Sequence, residues 1–263
     1  MNFAQIETTT YCNLSCWFCQ NQHYERPPSE VMGMELFCRV LESIKQSYPL
    51  EKLSRITFSS YNEPLADPLF EHRVRELSRH QYYLALYTNG TLLSDEIIEF
   101  LCSPRTLLDS VVVNLPSVDE HEYQQLVNRK ADPSRIVEQV KALAEATAET
   151  HEHKVLVNGV MDEDHDERRE SVGVAFREHP NIAVSKSRLF DRAGMLSATK
   201  IEHAEHDRQA TGCYAGKLEQ LFIGINNTLL HNHEITGKRC HTQNRNQQSH
   251  KNTGLNFEIT ELH

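Results

Sequence analysis

IETTTYCNLSCWFC, residues 6–19, decides how the rest of the chain is read. Its first five residues are mostly β-branched and have the character of a short strand. Its last eight set three cysteines, Cys12, Cys16 and Cys19, at the spacing C-x3-C-x2-C. A strand that delivers three thiols into one loop raises two questions: which sheet it belongs to, and what the thiols hold.

Reading outward, short strand-like runs alternate with helical patterns. Residues 34–47 carry apolar side chains at helical spacing, 55–60 (RITFSS) read as a strand, and 67–80 read as a helix with Pro68 in its first turn. A strand over 82–88 ends at Asn89-Gly90, a helix over 94–102 has Ser94 as its N-cap, and 110–114 form another strand. Ser117 with Glu120 reads as a capping box for a short helix. Asp132-Pro133 opens a long helix, 155–160 form a strand, 162–170 open a polar helix, and 181–188 form a sixth strand. This order predicts an α/β fold with a parallel sheet and right-handed crossovers, a partial (β/α)6 TIM-like barrel over residues 1–196. Residues 197–263 differ in pattern. They contain a predicted β-hairpin with its turn at Asn226-Asn227, then a polar tail that reads as poorly ordered.

In such a barrel the chemistry sits at the C-terminal strand ends. Those ends carry the cysteine loop, Asn62-Glu63-Pro64, Asn89-Gly90, Asn114, Asn158 and Lys186/Arg188. Polar residues directly after apolar strands, repeated this often, mark one site shared by several strands.

Composition narrows the function. The net charge is −10, and phosphate neutralisation needs a basic surface, so a nucleic-acid partner is not expected. No apolar run reaches membrane-spanning length, so no membrane partner is expected. The N-terminal residues lack a signal-peptide pattern, which makes the cytoplasm the expected location. Seven cysteines with three crowded together read, in a reducing compartment, as metal binding or catalysis rather than disulfides. Cys38 and Cys102 fall within helices and read as buried apolar thiols.

Structural zinc takes four ligands, commonly in two pairs. A four-iron cluster is also commonly held by four cysteinates. Three thiols alone leave one iron open to a ligand bound through an amine and a carboxylate. A zinc knuckle with Cys38 or a histidine as fourth ligand is the alternative.

C-x3-C-x2-C with the aromatic Phe18 before the third cysteine, in the loop after the first strand of a β/α barrel, resembles the radical S-adenosyl-L-methionine (SAM) superfamily. The resemblance implies a [4Fe-4S] cluster on Cys12, Cys16 and Cys19, with SAM on the open iron. It implies that Glu63 of SSYNEP binds the SAM amino group; Tyr61 and Asn62 stand where the family has glycines, and Asn62 is a candidate cofactor contact. It places Asn89 of YTNG near the ribose, Asn114 at the ribose or carboxylate, and Phe18 beside the adenine. Asn158, at the next strand end, is the further candidate contact. RLFDRAGML (188–196) is similar to the segment after the sixth strand in members with SPASM or twitch extensions, and implies that Arg192 faces SAM or substrate. Cys213 and the following hairpin resemble the twitch layout. Where that layout places its second cysteine this chain has His231, followed by His233 and Cys240. A second iron–sulfur cluster on Cys213, His231 or His233, and Cys240 is one expectation, and loss of that cluster is the other.

The implied function is an enzyme that cleaves SAM reductively and abstracts hydrogen from a small-molecule substrate (sugar, aminocyclitol or amino acid) or a peptide. An external electron donor such as flavodoxin or ferredoxin is implied. A second cluster would favour dehydrogenation. Without it, a rearrangement, a decarboxylation or an epimerisation with Cys213 as hydrogen-atom donor gains. A non-catalytic iron–sulfur or zinc module is the alternative from another class.

Overall fold

The computed structural model describes residues 3–19, 29–59, 61–148, 155–161, 166–188, 221–223 and 229–231. Six parallel strands alternate with helices: β1 (Phe3–Ile6), α1 (Met34–Ser47), β2 (Arg55–Thr57), α2 (Phe70–Arg79), β3 (Tyr83–Thr88), α3 (Asp95–Cys102), β4 (Leu108–Asn114), α4 (Glu120–Val127), α5 (Pro133–Thr147), β5 (Val155–Met161), α6 (Asp166–Ala175) and β6 (Ile182–Arg188). Each strand pairs in parallel with its sequence neighbour. Two further short strands, β7 (Leu221–Ile223) and β8 (Leu229–His231), pair antiparallel, and β7 lies parallel to β1. The sheet order β6-β5-β4-β3-β2-β1-β7-β8 has two free edges among the described residues, so the barrel is open.

The expected partial barrel is therefore present, with local shifts in its elements. The first strand is Phe3–Ile6, earlier than the expected 6–10. Thr9 instead bridges Val31 in antiparallel fashion, and Met32 N–H donates to the Thr8 carbonyl. Tertiary pairing with the 29–33 segment overrides the β-branched run. Pro68 lies outside α2, which begins at Phe70, because Pro64–Ala66 first form a short 3-10 turn capped by Glu63. The cap of α4 is Asp119, which accepts from Glu122 N–H at 2.8 Å, rather than Ser117. Ser117 instead accepts from Asp119 N–H and donates to the Glu122 carboxylate. Ser94 and Asp132 cap α3 and α5 as expected. The expected turn at Asn226-Asn227 and the tail lie outside the described residues.

Alternation assigns the faces of the sheet. Ala4, Ile6, Ile56, Leu84, Leu86, Val111, Val113, Val155 and Val157 are buried on one face. They join a single core with Phe37, Leu41, Val74, Leu77, Leu101, Val140 and Leu143 from the helices. The opposite face is polar and more open: Gln5, Arg55, Tyr83, Tyr87, Ser110, Asn114 and Asn158. On it Arg55 pairs with Asp109 at 3.5 Å. No helix among the described residues is long and apolar enough to cross a membrane.

One fully buried ion pair pins the loops under the site. Arg73 Nε donates to Asp67 at 2.8 Å, with both side chains inaccessible. Its Nη2 donates to the Met32 carbonyl, and its guanidinium lies 5.0 Å from the centre of the Phe37 ring. Arg73→Ala leaves Asp67 as a buried, unpaired carboxylate. It is expected to cost about 3–5 kcal/mol in urea unfolding. A loss below about 1 kcal/mol would show that the loops are held by other contacts.

Candidate active site

The cysteine loop is held against the end of α4. Ser15 N–H donates to the Val127 carbonyl at 3.0 Å, and Trp17 N–H to the Leu126 carbonyl at 3.2 Å. The last carbonyls of a helix lack partners within the helix, so the loop and the helix end satisfy each other. Asn128 closes α4 in the left-handed conformation. Within the loop, Cys19 N–H donates to the Cys16 carbonyl at 2.9 Å, which turns the third thiol back toward the second. Leu14 and Phe18 are buried, and the Trp17 and Phe18 rings meet edge to face at 5.7 Å.

Glu63 is brought to the same place from the end of β2. Its backbone N–H donates to the Tyr11 carbonyl at 2.9 Å. Its carboxylate accepts from Leu65 N–H (3.0 Å), Thr88 Oγ1 (2.7 Å) and Asn89 N–H (2.7 Å), and its side chain is 1% exposed. Gly90 follows with φ +77°, a conformation that favours glycine. A Cβ there would lie 2.8 Å from side-chain carbons of Ile136 and Val113.

Asn89, Asn13 and Thr91 form a closed set of hydrogen bonds. Asn89 Nδ2 donates to Asn13 Oδ1 (2.9 Å) and approaches Cys12 Sγ at 3.9 Å. Asn89 Oδ1 accepts from Thr91 N–H and Thr91 Oγ1, and Asn13 Nδ2 donates to Thr91 Oγ1 at 2.7 Å. The Asn89 amide is thus engaged at both ends, fixing the first cysteine. Asn62 Nδ2 donates to the Phe58 carbonyl at 2.9 Å, which ties its amide to the backbone of β2's end.

Asn114 and Asn158 are register partners at the ends of β4 and β5. Asn158 Oδ1 accepts from Ser185 at 3.1 Å, whereas Asn114 Oδ1 is buried with no partner among the described residues. Arg192, Cys213, His233 and Cys240 lie outside the described residues. His231 ends β8. Thr88, Asn13, Thr91 and Tyr123 belong to this neighbourhood; Thr88 and Asn13 lie within the motif stretches without being singled out by them, and Thr91 and Tyr123 lie outside. Only the polar run T-N-G-T at a strand end could have pointed to the first and third of them.

The electrostatics are one-sided. Burial pushes the Glu63 carboxyl up to about 7 against the three hydrogen bonds that lower it. Burial pushes Cys12 up to about 11, with Glu63 and Cys19 adding to it and the Leu14 backbone and Asn89 opposing. Cys16 is raised further, by burial and then by Cys19 and Cys12. Among the described residues no lysine or arginine figures in the charges acting on these three groups. Among the described residues Cys12, Cys16 and Glu63 thus share one place without a cation, and a positively charged guest would favour their ionisation.

The donor set fits an iron–sulfur cluster better than a single ion. The thiols are near enough that charge on Cys19 raises Cys12 and Cys16, and charge on Cys12 raises Cys16. Yet among the described residues no three His, Cys, Asp or Glu side chains converge closely enough to hold one metal ion. A cluster that takes one thiolate per iron accepts that wider spacing. Cys38 sits on α1 where Glu76, Arg73, Glu42 and Arg79 act on it, so it does not complete a zinc knuckle with the loop. Cys38 and Cys102 are half-buried rather than enclosed. The buried Glu63 carboxylate in turn fits an ammonium group bound beside the cluster.

Comparison with known proteins agrees. Residues 6–172 match the Radical SAM superfamily. The chain is 36% identical over 101 residues to the tungsten-containing aldehyde ferredoxin oxidoreductase cofactor-modifying protein of Pyrococcus furiosus, covering 38% of this chain and 27% of that one. It is 26% identical over 102 residues to the S-adenosyl-L-methionine-dependent 2-deoxy-scyllo-inosamine dehydrogenase of Niallia circulans, covering 38% of this chain and 40% of that one. The matches thus span less than half the length of these curated relatives. The fold resembles that of Streptococcus suis SuiB bound to precursor peptide SuiA, with TM-score 0.65, 16% identity, and coverage of 87% of this chain and 58% of that one. The family match spans more than half of the sequence, from the first strand through the cysteine loop and Glu63 to the sixth helix: the chain belongs to the radical SAM superfamily.

Proposed function

We propose that this chain is a radical SAM enzyme acting on a polar small molecule or a peptide. The observation that carries the reading is the meeting of three thiols and a buried carboxylate at the C-terminal ends of β1 to β3, with no cation among the charges of the described residues that act on Cys12 and Glu63.

Cys12, Cys16 and Cys19 would hold a [4Fe-4S] cluster, leaving one iron for SAM. Glu63 would accept the SAM ammonium, kept in place by Leu65 N–H, Thr88 and Asn89 N–H. When bound, the cluster and SAM together supply a 5′-deoxyadenosyl radical that takes a hydrogen atom from substrate. The protein binds, orients and excludes water. Asn89 would hold Cys12 in place through the Asn13–Thr91 set, and its backbone would hold Glu63. Asn62 would brace the Glu63 loop through Phe58. Phe18 would pack beside the adenine. Asn114, whose buried Oδ1 has no partner among the described residues, would meet the ribose or carboxylate, and Asn158 would stand beside it.

The open face of the sheet supports the substrate class. Gln5, Tyr87, Asn114 and Asn158 lie on that face toward the C-terminal strand ends, which suits a sugar, aminocyclitol, amino acid or peptide rather than an apolar ligand. A flavodoxin- or ferredoxin-type donor would supply the electron. Residues 197–263 would form the twitch-like extension, with Arg192 just before it facing SAM or substrate. Cys213 would serve as hydrogen-atom donor in a redox-neutral outcome, or as a ligand of a second cluster with His231 or His233 and Cys240 in a dehydrogenation.

The test is direct. The anaerobically reconstituted, reduced protein with SAM is expected to form 5′-deoxyadenosine and methionine. Full iron content with neither product would favour a non-catalytic iron–sulfur module.

A further inference from the structure

The cysteine loop has a neighbour that no motif identifies. Tyr123 lies on α4, one turn before Leu126 and Val127, whose carbonyls receive the amides of Trp17 and Ser15. Residues three and four apart share a helix face, so Tyr123 stands on the side of α4 that meets the loop. Its side chain is 0% exposed, and its hydroxyl has no hydrogen-bond partner among the described residues. A buried hydroxyl without a partner is destabilising, and phenylalanine would fill the same space without that cost. Among the described residues no polar group accounts for the Tyr123 oxygen, which leaves it free for a guest at the cysteine loop.

The surroundings say what that partner is. Charge on Cys16, then Glu63, then Cys12 opposes ionisation of Tyr123, on top of the larger effect of burial. A phenol carries its proton near neutral pH and can donate, and Tyr123 stands on the side of α4 that takes the amides of Ser15 and Trp17, the two residues flanking Cys16.

We propose that the Tyr123 hydroxyl donates a hydrogen bond to a sulfur of the cluster at its Cys16 corner and thereby raises the cluster's reduction potential. The inference rests on the reading of Cys12, Cys16 and Cys19 as cluster ligands. A hydrogen bond to sulfur stabilises the extra negative charge of the reduced cluster more than the oxidised state, which is how such bonds set potentials. Tyr123 would thereby make the cluster easier for an external donor to reduce.

The experiment is a redox titration of the anaerobically reconstituted full chain without SAM, followed by electron paramagnetic resonance, with iron counted in the same samples. Tyr123→Phe removes the donor and keeps the ring. Its cluster is expected to titrate at more negative potential at unchanged iron content. At the wild-type midpoint its reduced-to-oxidised ratio should fall about threefold or more, the size of one net hydrogen bond. A second form carries 3-fluorotyrosine at position 123, which is nearly the same shape with a more acidic phenol, and it should titrate at more positive potential. If Tyr123→Phe fails to hold iron, the fluorinated form decides by itself. Coincident potentials in every form that holds the cluster would overturn the inference while leaving the enzyme reading intact. Absence of any cluster from the wild type would overturn the enzyme reading first, and the iron count distinguishes the two failures.

Discussion

Replacing Cys12, Cys16 and Cys19 together by alanine is expected to leave almost no iron on the chain after anaerobic reconstitution, where the wild type should hold about 4 iron atoms. The argument is electrostatic as well as stoichiometric. Burial and mutual repulsion raise the Cys12 and Cys16 thiols, so they stay protonated at neutral pH unless metal replaces the protons. With the thiols gone the donor set is gone. Sulfide and iron counted beside protein concentration give the result, with circular dichroism to show that the barrel persists. About 8 iron atoms in the wild type with about 4 left in the variant would instead place a second cluster elsewhere and move dehydrogenation to the front. Unchanged iron at about 4 would show that the loop is not the ligand set.

Glu63→Gln is expected to lower SAM cleavage by two to three orders of magnitude at unchanged iron content, the cost of removing one partner from a buried charge pair. The pH dependence gives a sharper test. In the free protein burial holds the Glu63 carboxyl at about 7. SAM binding should therefore tighten as pH rises toward and through about 7, because the carboxylate must be ionised to hold an ammonium, and the Gln variant should lack this rise. The effect on folding has the opposite sign. An unfolded glutamate titrates near 4.3, so the protein without ligand loses stability as pH rises from there through about 7. The loss is at most about 4 kcal/mol at 1.36 kcal/mol per pH unit. The Gln variant should show no such loss, although its amide cannot accept from Asn89 N–H and its stability at low pH should fall by about 1–2 kcal/mol. Calorimetric SAM titrations and urea unfolding across the pH range read both. A variant that binds and cleaves SAM like the wild type would remove Glu63 from the site.

The alternation of strand and helix patterns, the parallel sheet, the cysteine loop and Glu63 were legible from the chain because each is a local signal. Ala4 and Ile6 alternate with polar residues in β1, Ser94 and Asp132 precede their helices as caps, and three thiols lie within eight residues. The element edges were less legible. Thr9 pairs with Val31 rather than extending β1, and Asp119 caps α4 rather than Ser117, because contacts from other segments compete with local preference. Tertiary structure alone decided which polar groups meet. Thr88 reaches Glu63 across 25 positions and Asn89 reaches Asn13 across 76, since parallel pairing of β1, β2 and β3 sets their C-terminal ends side by side. Tyr123 comes to the cysteines only because the free carbonyls at the end of α4 take the loop's amides. The sequence determined the donors and the order of the strands. The sheet register and the helix end decided their neighbours, because a hydrogen bond between distant residues is chosen by the fold that brings them together and not by either residue alone.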